Sequence, residues 1–216
     1  IKNNKKKYFI IDLTKNNYFK NDKNSYFINI GKFGKIITLI KEKKCKKVLF
    51  AGKIDKPKIT NLKFDIKGIY YLPRIVKSSK LGDAAILKEL IKILDENQIK
   101  VIKSNIFNPE LTLKKGSLSK TKPNKSDDIS IKKGIKYLND LNAHDHVQGL
   151  IIRNNNVIKK ETSKGTKKML QSINKIKDAG GILIKFPKRK QDLRADLPTI
   201  GLDTLKDCKK YNLKGI

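Results

Sequence analysis

The sequence predicts an α/β protein of two domains, and three observations support this prediction. Short apolar runs typical of strands alternate with longer segments in which apolar residues recur at helical spacing. Residues 114–126, rich in lysine and serine, interrupt this order and have no apolar periodicity of their own. Hydrophobic residues make up 38% of the 216 residues, which is enough to give each half a core.

The first half, residues 1–115, is predicted to be a Rossmann-like domain that is incomplete at its start. Its strands and helices alternate, as they do in a parallel α/β layer. A helix is expected to open at Gly31 and another at Gly82, with Asp83 as the N-cap of the second. Residues 69–72 are apolar but ambiguous. The predicted strands span residues 8–12, 26–30, 47–51 and 101–102.

The second half, residues 127–216, is predicted to be a separate mixed α/β domain behind a linker of residues 116–126. Three adjacent asparagines between two apolar runs predict a hairpin. A glycine pair at Gly180 is expected to end the helix that precedes it. The predicted elements are a helix at 128–141, strands at 150–153 and 157–160, a helix at 166–179, a strand at 182–184, and a last helix capped by Asp203 or Thr204.

The charge of the chain is strongly basic, with a formal net charge of +31. A nucleic-acid-binding protein is therefore an alternative. We disfavour it because lysines are spread along the whole chain and aromatic residues do not interleave with a basic motif. No apolar stretch reaches the ~18 residues of a transmembrane helix. The distant Cys45 and Cys208 form no paired framework, which indicates a reducing, cytoplasmic setting.

Residues 180–201 carry the densest set of chemical groups, because a predicted strand runs there into a charged loop. If the loop is extended, Asp192, Arg194 and Asp196 lie on one face. Paired carboxylates suit Mg²⁺, and the neighbouring Lys185 and Lys188 suit phosphate groups. The alternative is a structural ion-pair cluster, and spacing alone does not decide between them.

Three further segments are weaker candidates. Gly165 and Thr166 follow a strand and open a helix, so their N–H groups could bind phosphate, although an ordinary N-cap is the favoured interpretation. Lys53 follows a strand and a glycine, a position typical of the carboxyl edge of an open sheet. His144 and His146 could form a metal-binding pair, but we favour solvated histidines of a loop.

These segments together resemble a known family. Residues 185–204 read KFPKRKQDLRADLPTIGLDT, which is similar to the signature K-x-x-K-x-x-Q-D-x-R-x-D-L-P-T-I-G-x-x-T of the LpxI-type UDP-2,3-diacylglucosamine pyrophosphatases. Residues 51–57 (AGKIDKP) and 81–87 (LGDAAIL) resemble two further family segments. Asp145 with Gln148 resembles the family's D-x-G-Q.

The resemblance implies a two-domain, Mg²⁺-dependent enzyme of lipid A synthesis in a Gram-negative bacterium. Such an enzyme hydrolyses UDP-2,3-diacylglucosamine to 2,3-diacylglucosamine 1-phosphate (lipid X) and UMP, with water attacking the α-phosphorus. It would act in the cytoplasm, peripherally at the anionic inner face of the inner membrane, and a homodimer is among the expectations. Nucleic acid is not an expected partner.

The resemblance also implies roles for individual residues. Asp196 is the first candidate for a catalytic or metal-binding carboxylate, Asp192 is the second, and Glu161 is a weaker metal candidate. The candidate substrate contacts are Lys185, Lys188, Gln191, Arg194, Thr199, Gly165, Thr166, Lys53 and Asp83.

Two further expectations concern the extent of the chain and its activity. The family's Gly-rich opening segment and its closing strand and helix have no counterpart here, so the sequence resembles a fragment. A catalytically inactive homologue that binds a nucleotide sugar or a lipid is therefore a second alternative.

Overall fold

The computed structural model describes residues 7–14, 16–52, 57–141, 147–174, 179–187 and 191–216. It has mixed α/β structure, as the sequence predicts. The chain divides into two compact units, unit 1 with residues 1–112 and unit 2 with residues 113–216. No helix in the described ranges has the length and apolar character needed to cross a membrane.

The strands of unit 1 form two short parallel pairs. Strand β1 (Ile10–Asp12) pairs with β2 (Ser25–Phe27), and β3 (Lys47–Val48) pairs with β4 (Lys100–Val101). The first three strands are shorter than predicted, while β4 has the predicted two residues and lies one position earlier. Within the described residues the two pairs are separate sheets. The parallel pairing agrees with the predicted layer, while a continuous Rossmann-like sheet remains a prediction.

Three helices accompany these strands: α1 (Phe33–Glu42), α2 (Ile66–Ser79) and α3 (Asp83–Glu96). The ambiguous residues 69–72 lie in α2. The N-cap prediction for Asp83 is wrong, because the N-cap of α3 is Gly82 and Asp83 is the first helical residue. Gly82 has a φ of 101°, a left-handed conformation that glycine adopts without the steric cost of a Cβ.

The Asp65 carboxylate joins the starts of α1 and α2. It caps α2 by accepting a hydrogen bond of 2.7 Å from the N–H of Gly68. It also accepts from the N–H groups of Gly34 at 3.1 Å and Lys35 at 2.8 Å in the first turn of α1. Burial acts to raise the pKa of the Asp65 carboxyl. The backbone hydrogen bonds that it accepts have the larger combined effect, so the pKa is lowered.

Arg74 holds α2 against α3. Its Nε donates to Glu89 at 2.7 Å, while its two terminal nitrogens donate to both Glu96 oxygens at 2.8 and 2.7 Å. Bidentate geometry of this kind fixes orientation as well as distance. Among the four arginines of the chain, this one therefore has a structural role in unit 1.

Unit 2 is built around an antiparallel sheet of three strands, which helices accompany. Its helices are α4 (Lys125–Asp140), α5 (Gly165–Gln171) and α6 (Leu202–Lys210), and its strands are β5 (Gly149–Arg153), β6 (Asn156–Lys160) and β7 (Ile182–Lys185). The sheet order is β6-β5-β7, with both pairs antiparallel. The predicted hairpin is confirmed: Asn154 and Asn155 form its two-residue turn with φ of 48° and 63°.

The helix boundaries of unit 2 differ from the prediction at three places. Helix α4 starts inside the predicted linker, because Asn124 and Asp127 form a capping box. Helix α5 ends at Gln171 rather than near residue 179, and the Ser172 hydroxyl bonds locally to the Met169 carbonyl. Helix α6 has Gly201 as its N-cap, in place of Asp203 or Thr204.

The sheet of unit 2 buries a different set of side chains on each face. Ile151 and Leu183 pack with α5 and with Cys208 of α6. Leu150, Ile152 and Ile184 pack with Leu138 of α4 on the opposite face. This alternation follows from the period of two along a strand. Because β5 is antiparallel to both neighbours, its start lies at the same sheet edge as the ends of β6 and β7.

Candidate functional site

A buried carboxylate lies at that edge of the sheet. Glu161 directly follows β6 and is 7% exposed. One of its oxygens, Oε1, accepts a hydrogen bond of 2.7 Å from the Thr166 hydroxyl. The other, Oε2, accepts from the N–H of Gln148 at 3.2 Å. A buried acid is stable only with such partners, so the fold of this edge depends on Glu161.

Lys185, the last residue of β7, supplies a cation beside this carboxylate. Its Nζ donates to the Thr166 hydroxyl at 2.6 Å and lies 3.8 Å from Oε1 of Glu161. Its side chain is 13% exposed. The hydroxyl therefore bridges a lysine and a glutamate that are both largely withdrawn from solvent, where electrostatic attraction is stronger than in water.

A second chain of hydrogen bonds connects the sheet edge to the charged loop. The Gln148 amide nitrogen donates to the side-chain oxygen of Gln191 at 2.7 Å. The Gln191 amide nitrogen in turn donates to the backbone carbonyl of Asp196 at 3.1 Å. Gln191 thus spans from the residue before β5 to the far end of the loop, and its amide group holds the loop in place.

The loop itself is folded as a turn, so the condition for a shared strand face, an extended loop, is not met. The N–H groups of Ala195 and Asp196 both donate to the Asp192 carbonyl at 3.1 Å. The Asp192 side chain accepts from the backbone N–H of Arg194 at 3.0 Å, a local bond that favours a turn over a strand. Asp192, Arg194 and Asp196 therefore do not share a strand face.

Asp192 and Arg194 form a close ion pair within this turn. The guanidinium Nη2 lies 2.8 Å from Oδ2, and Nε lies 3.0 Å from Oδ1. Both carboxylate oxygens thus face the guanidinium, as in other bidentate pairs. The ion pair expected under one of the two interpretations is therefore present, while a catalytic role of the same two residues stays a prediction.

A magnesium ion needs oxygen ligands from carboxylates, phosphates or water. Among the described residues, no group of three or more acidic, histidine or cysteine side chains is placed to hold a metal. Asp192 faces a guanidinium, and both oxygens of Glu161 accept hydrogen bonds. As placed, these two carboxylates do not fit a magnesium ion without rearrangement.

The remaining predicted residues are distributed over the chain. Gly165 donates its N–H to the Thr162 carbonyl at 2.9 Å, so this N–H is engaged within the protein. Thr199 is exposed, and its hydroxyl donates to the Leu197 carbonyl at 2.9 Å. Asp83 belongs to unit 1 and begins α3. Four candidates lie outside the described residues: Lys53, Lys188, His144 and His146.

Gln148 is the site residue that the candidate set omitted. Its backbone N–H binds Glu161 and its side chain binds Gln191, so it connects the buried carboxylate to the loop. The similarity of residues 145–148 to D-x-G-Q was the signal that could have identified it. Periodicity carries no such signal, because Gln148 precedes the strand.

Both units of the chain match families of known proteins. The LpxI N-terminal domain family matches residues 1–111, and the LpxI C-terminal domain family matches residues 114–216. The chain belongs to the LpxI family. The residues of the candidate site described above, from Gln148 to Asp196, lie in the LpxI C-terminal domain.

One similar protein is the UDP-2,3-diacylglucosamine pyrophosphatase LpxI of Caulobacter vibrioides. It is 29% identical over 197 residues, which cover 88% of this chain and 70% of that protein. The family prediction made from residues 185–204 is therefore confirmed, and so is the expectation that both halves of the chain resemble LpxI.

Proposed function

We propose that this protein hydrolyses the pyrophosphate bond of UDP-2,3-diacylglucosamine to lipid X and UMP, as a step of lipid A synthesis. Its membership of the LpxI family and the name of its relative in Caulobacter vibrioides support this proposal. The structural observation that carries it is the meeting of Lys185, Thr166 and Glu161 at one sheet edge. The loop held by Gln191 adjoins that edge through Gln148.

The chemistry of a pyrophosphate substrate matches the charges of this edge. A pyrophosphate carries negative charge that increases at the leaving group as the bond breaks, so fixed cations lower the barrier. Lys185 is such a cation, and its position is set by Thr166. Arg194 is the second, held by Asp192. In the proposed reaction, water attacks the α-phosphorus and the phosphate of lipid X is the leaving group.

Magnesium is the proposed cofactor, with Asp196, Asp192 and Glu161 as candidate ligands, although Glu161 would first have to release the hydrogen bonds from Thr166 and Gln148. When bound, a hard cation of this kind neutralises phosphate charge. Asp192 faces Arg194, so this ion pair has to open before Asp192 binds a metal. Asp196 is the first candidate because the family signature contains its D-L-P triplet. Lys188, Lys53 and Asp83 remain proposed substrate contacts.

The direct test is release of UMP from UDP-2,3-diacylglucosamine by the purified chain, with Mg²⁺ and with a chelator. The Asp196→Ala variant is compared with Asp203→Ala, which alters an exposed aspartate of α6. We expect release by the wild type and by Asp203→Ala in Mg²⁺, and loss of at least ~100-fold in Asp196→Ala.

The assay can contradict the role of Asp196, the role of magnesium and the hydrolysis separately. Equal release by the wild type and Asp196→Ala contradicts the role of Asp196. Release that is unchanged in chelator contradicts the role of magnesium. Saturable binding of the substrate with no UMP release contradicts hydrolysis and supports the inactive, ligand-binding homologue.

A further inference from the structure

One side of α2 exposes an apolar surface. Ile66 is 87% exposed, Ile69 is 60% exposed and Tyr70 is 72% exposed. They are spaced by three and four residues, so they lie side by side on the helix. Pro73 and Lys77, both exposed, continue the same line toward the end of α2. We call Ile66, Ile69, Tyr70 and Pro73 the α2 surface.

The opposite side of the helix already has its packing partners. Gly68 and Tyr71 are the buried residues of α2, and the helix packs against both α1 and α3. A Cβ at Gly68 would collide with the carbonyl oxygen of Gly31, which shows how closely the backbones approach. The α2 surface is therefore not needed for the fold of unit 1, and clustered exposed apolar residues of this kind mark interaction sites.

Positive charge surrounds the α2 surface. Lys63, Lys67 and Lys77 are all exposed, and α2 contains no acidic residue. The carboxylate of Asp65, directly before α2, is engaged by backbone N–H groups at the starts of two helices, and Glu89 and Glu96 are paired with Arg74. The local charge is therefore cationic around an apolar centre.

We propose that the α2 surface docks onto an anionic lipid bilayer, with Ile66, Ile69 and Tyr70 entering the interfacial region. Apolar side chains contribute burial, tyrosine is suited to the membrane–water interface, and flanking lysines are attracted to anionic head groups. The inference goes beyond the proposed hydrolysis, because it identifies the surface that binds the bilayer. This binding does not require that the protein hydrolyses a substrate.

Charge complementarity favours a lipid surface over a second copy of the chain. Two α2 surfaces placed face to face would bring lysines of like sign together, in a protein whose net charge is already +31. An anionic bilayer instead neutralises these lysines. A homodimer through α2 is therefore an outcome that the test must distinguish.

The absence of tryptophan from the sequence makes a site-specific probe available. Tyr70→Trp places a single indole on the α2 surface. Tyr18→Trp is its matched control in the same unit, because Tyr18 is 70% exposed and Tyr70 is 72% exposed. Both proteins are mixed with vesicles of phosphatidylglycerol and phosphatidylethanolamine, with and without brominated acyl chains. The ionic strength is kept near ~0.15 M, where nonspecific attraction is partly screened.

We expect the Tyr70→Trp emission to shift to shorter wavelength and to be quenched by brominated lipid, while Tyr18→Trp emission stays unchanged. Equal quenching of both probes, or quenching of neither, overturns the proposal. A blue shift of Tyr70→Trp without vesicles, together with sedimentation as a dimer, also overturns it and assigns the surface to a second copy.

A second pair of variants separates apolar burial from charge. Ile66→Ser/Ile69→Ser and Leu118→Ser/Ile129→Ser each remove two exposed apolar side chains and leave the net charge unchanged. We expect the first pair to lower the vesicle partition coefficient by about tenfold or more and the second to leave it nearly unchanged. Circular dichroism confirms that each variant is folded. Equal partitioning of the two double variants contradicts docking through α2.

Discussion

The amide of Gln148 donates a hydrogen bond of 2.7 Å to the side-chain oxygen of Gln191, 43 residues further along the chain. Gln191 also donates a hydrogen bond to the Asp196 carbonyl, so its amide connects the sheet edge to the loop. Gln191 entered the sequence interpretation as a substrate contact. The substrate contact stays a prediction, and from these bonds we infer that Gln191 also positions the loop carrying Asp192, Arg194 and Asp196.

Substitution of Gln191 tests this positioning role. We expect Gln191→Ala to lower kcat of UMP release by roughly 10- to 100-fold with a smaller change in KM, since misplaced groups cost mainly in the transition state. Gln191→Glu keeps the acceptor for Gln148 but loses the donor to Asp196, so we expect an intermediate kcat. A rise in KM alone, equal in both variants, would indicate a direct substrate contact.

Removal of the Thr166 hydroxyl tests the buried cluster. Thr166→Val preserves shape but removes the group that bridges Glu161 and Lys185. We expect the free energy of unfolding to fall by about 1–3 kcal/mol, because buried polar partners lose their hydrogen bonds. The matched control is Thr199→Val, whose hydroxyl is exposed and bonds only locally. Urea denaturation measures both, and equal losses would contradict the account of Glu161.

The Asp65 cap predicts a pH dependence of the stability of unit 1. Its pKa is lowered in the folded protein, so it stabilises the fold above its unfolded pKa of about 3.9. This contribution is lost as the pH falls through the folded pKa. Asp65→Ala removes the cap, and we expect a loss of about 1 kcal/mol or more at pH 7.

Measuring the free energy of unfolding of the wild type and of Asp65→Ala as a function of pH tests the capping role of Asp65. The difference in unfolding free energy between wild type and Asp65→Ala should shrink as the pH falls below about 4, because protonation weakens the wild-type cap. The exposed Asp203→Ala serves as the control and should show a much smaller difference. A wild-type advantage that stays constant from neutral to acid pH contradicts the capping account.

Gly134 tests the packing of α4 on the sheet. A Cβ at this position would collide with the terminal methyl of Ile184 and come within 3.3 Å of Leu150. Ile184 is 6% exposed, so it has little room to move. We expect Gly134→Ala to lower the melting temperature through a loss of about 1–3 kcal/mol. Gly201→Ala is the control, because a Cβ there meets nothing within 4 Å.

Local sequence patterns were most informative where a structure depends on near neighbours in the chain. The hairpin turn at Asn154 and Asn155 follows from the tolerance of asparagine for positive φ. The buried side of α1, with Ile36, Ile37 and Ile40, follows from helical spacing. The residue types of the loop from 185 onward also indicated the family correctly.

Long-range contacts explain most of what the sequence did not show. Asp65 caps α1 from about thirty residues away, and Gln148 reaches Gln191 across the sheet edge. No local spacing encodes either contact. The turn at Asp192 was not predicted from the sequence. It is favoured by the hydrogen bond of 3.0 Å that the Asp192 side chain accepts from the N–H of Arg194.

The most direct measurement of the central claim is hydrolysis of UDP-2,3-diacylglucosamine in ¹⁸O-labelled water, followed by mass spectrometry of both products. Water attack on the α-phosphorus predicts one labelled oxygen in UMP and none in the phosphate of lipid X. Label in lipid X instead would contradict the proposed site of attack. Absence of both products would contradict the hydrolysis itself.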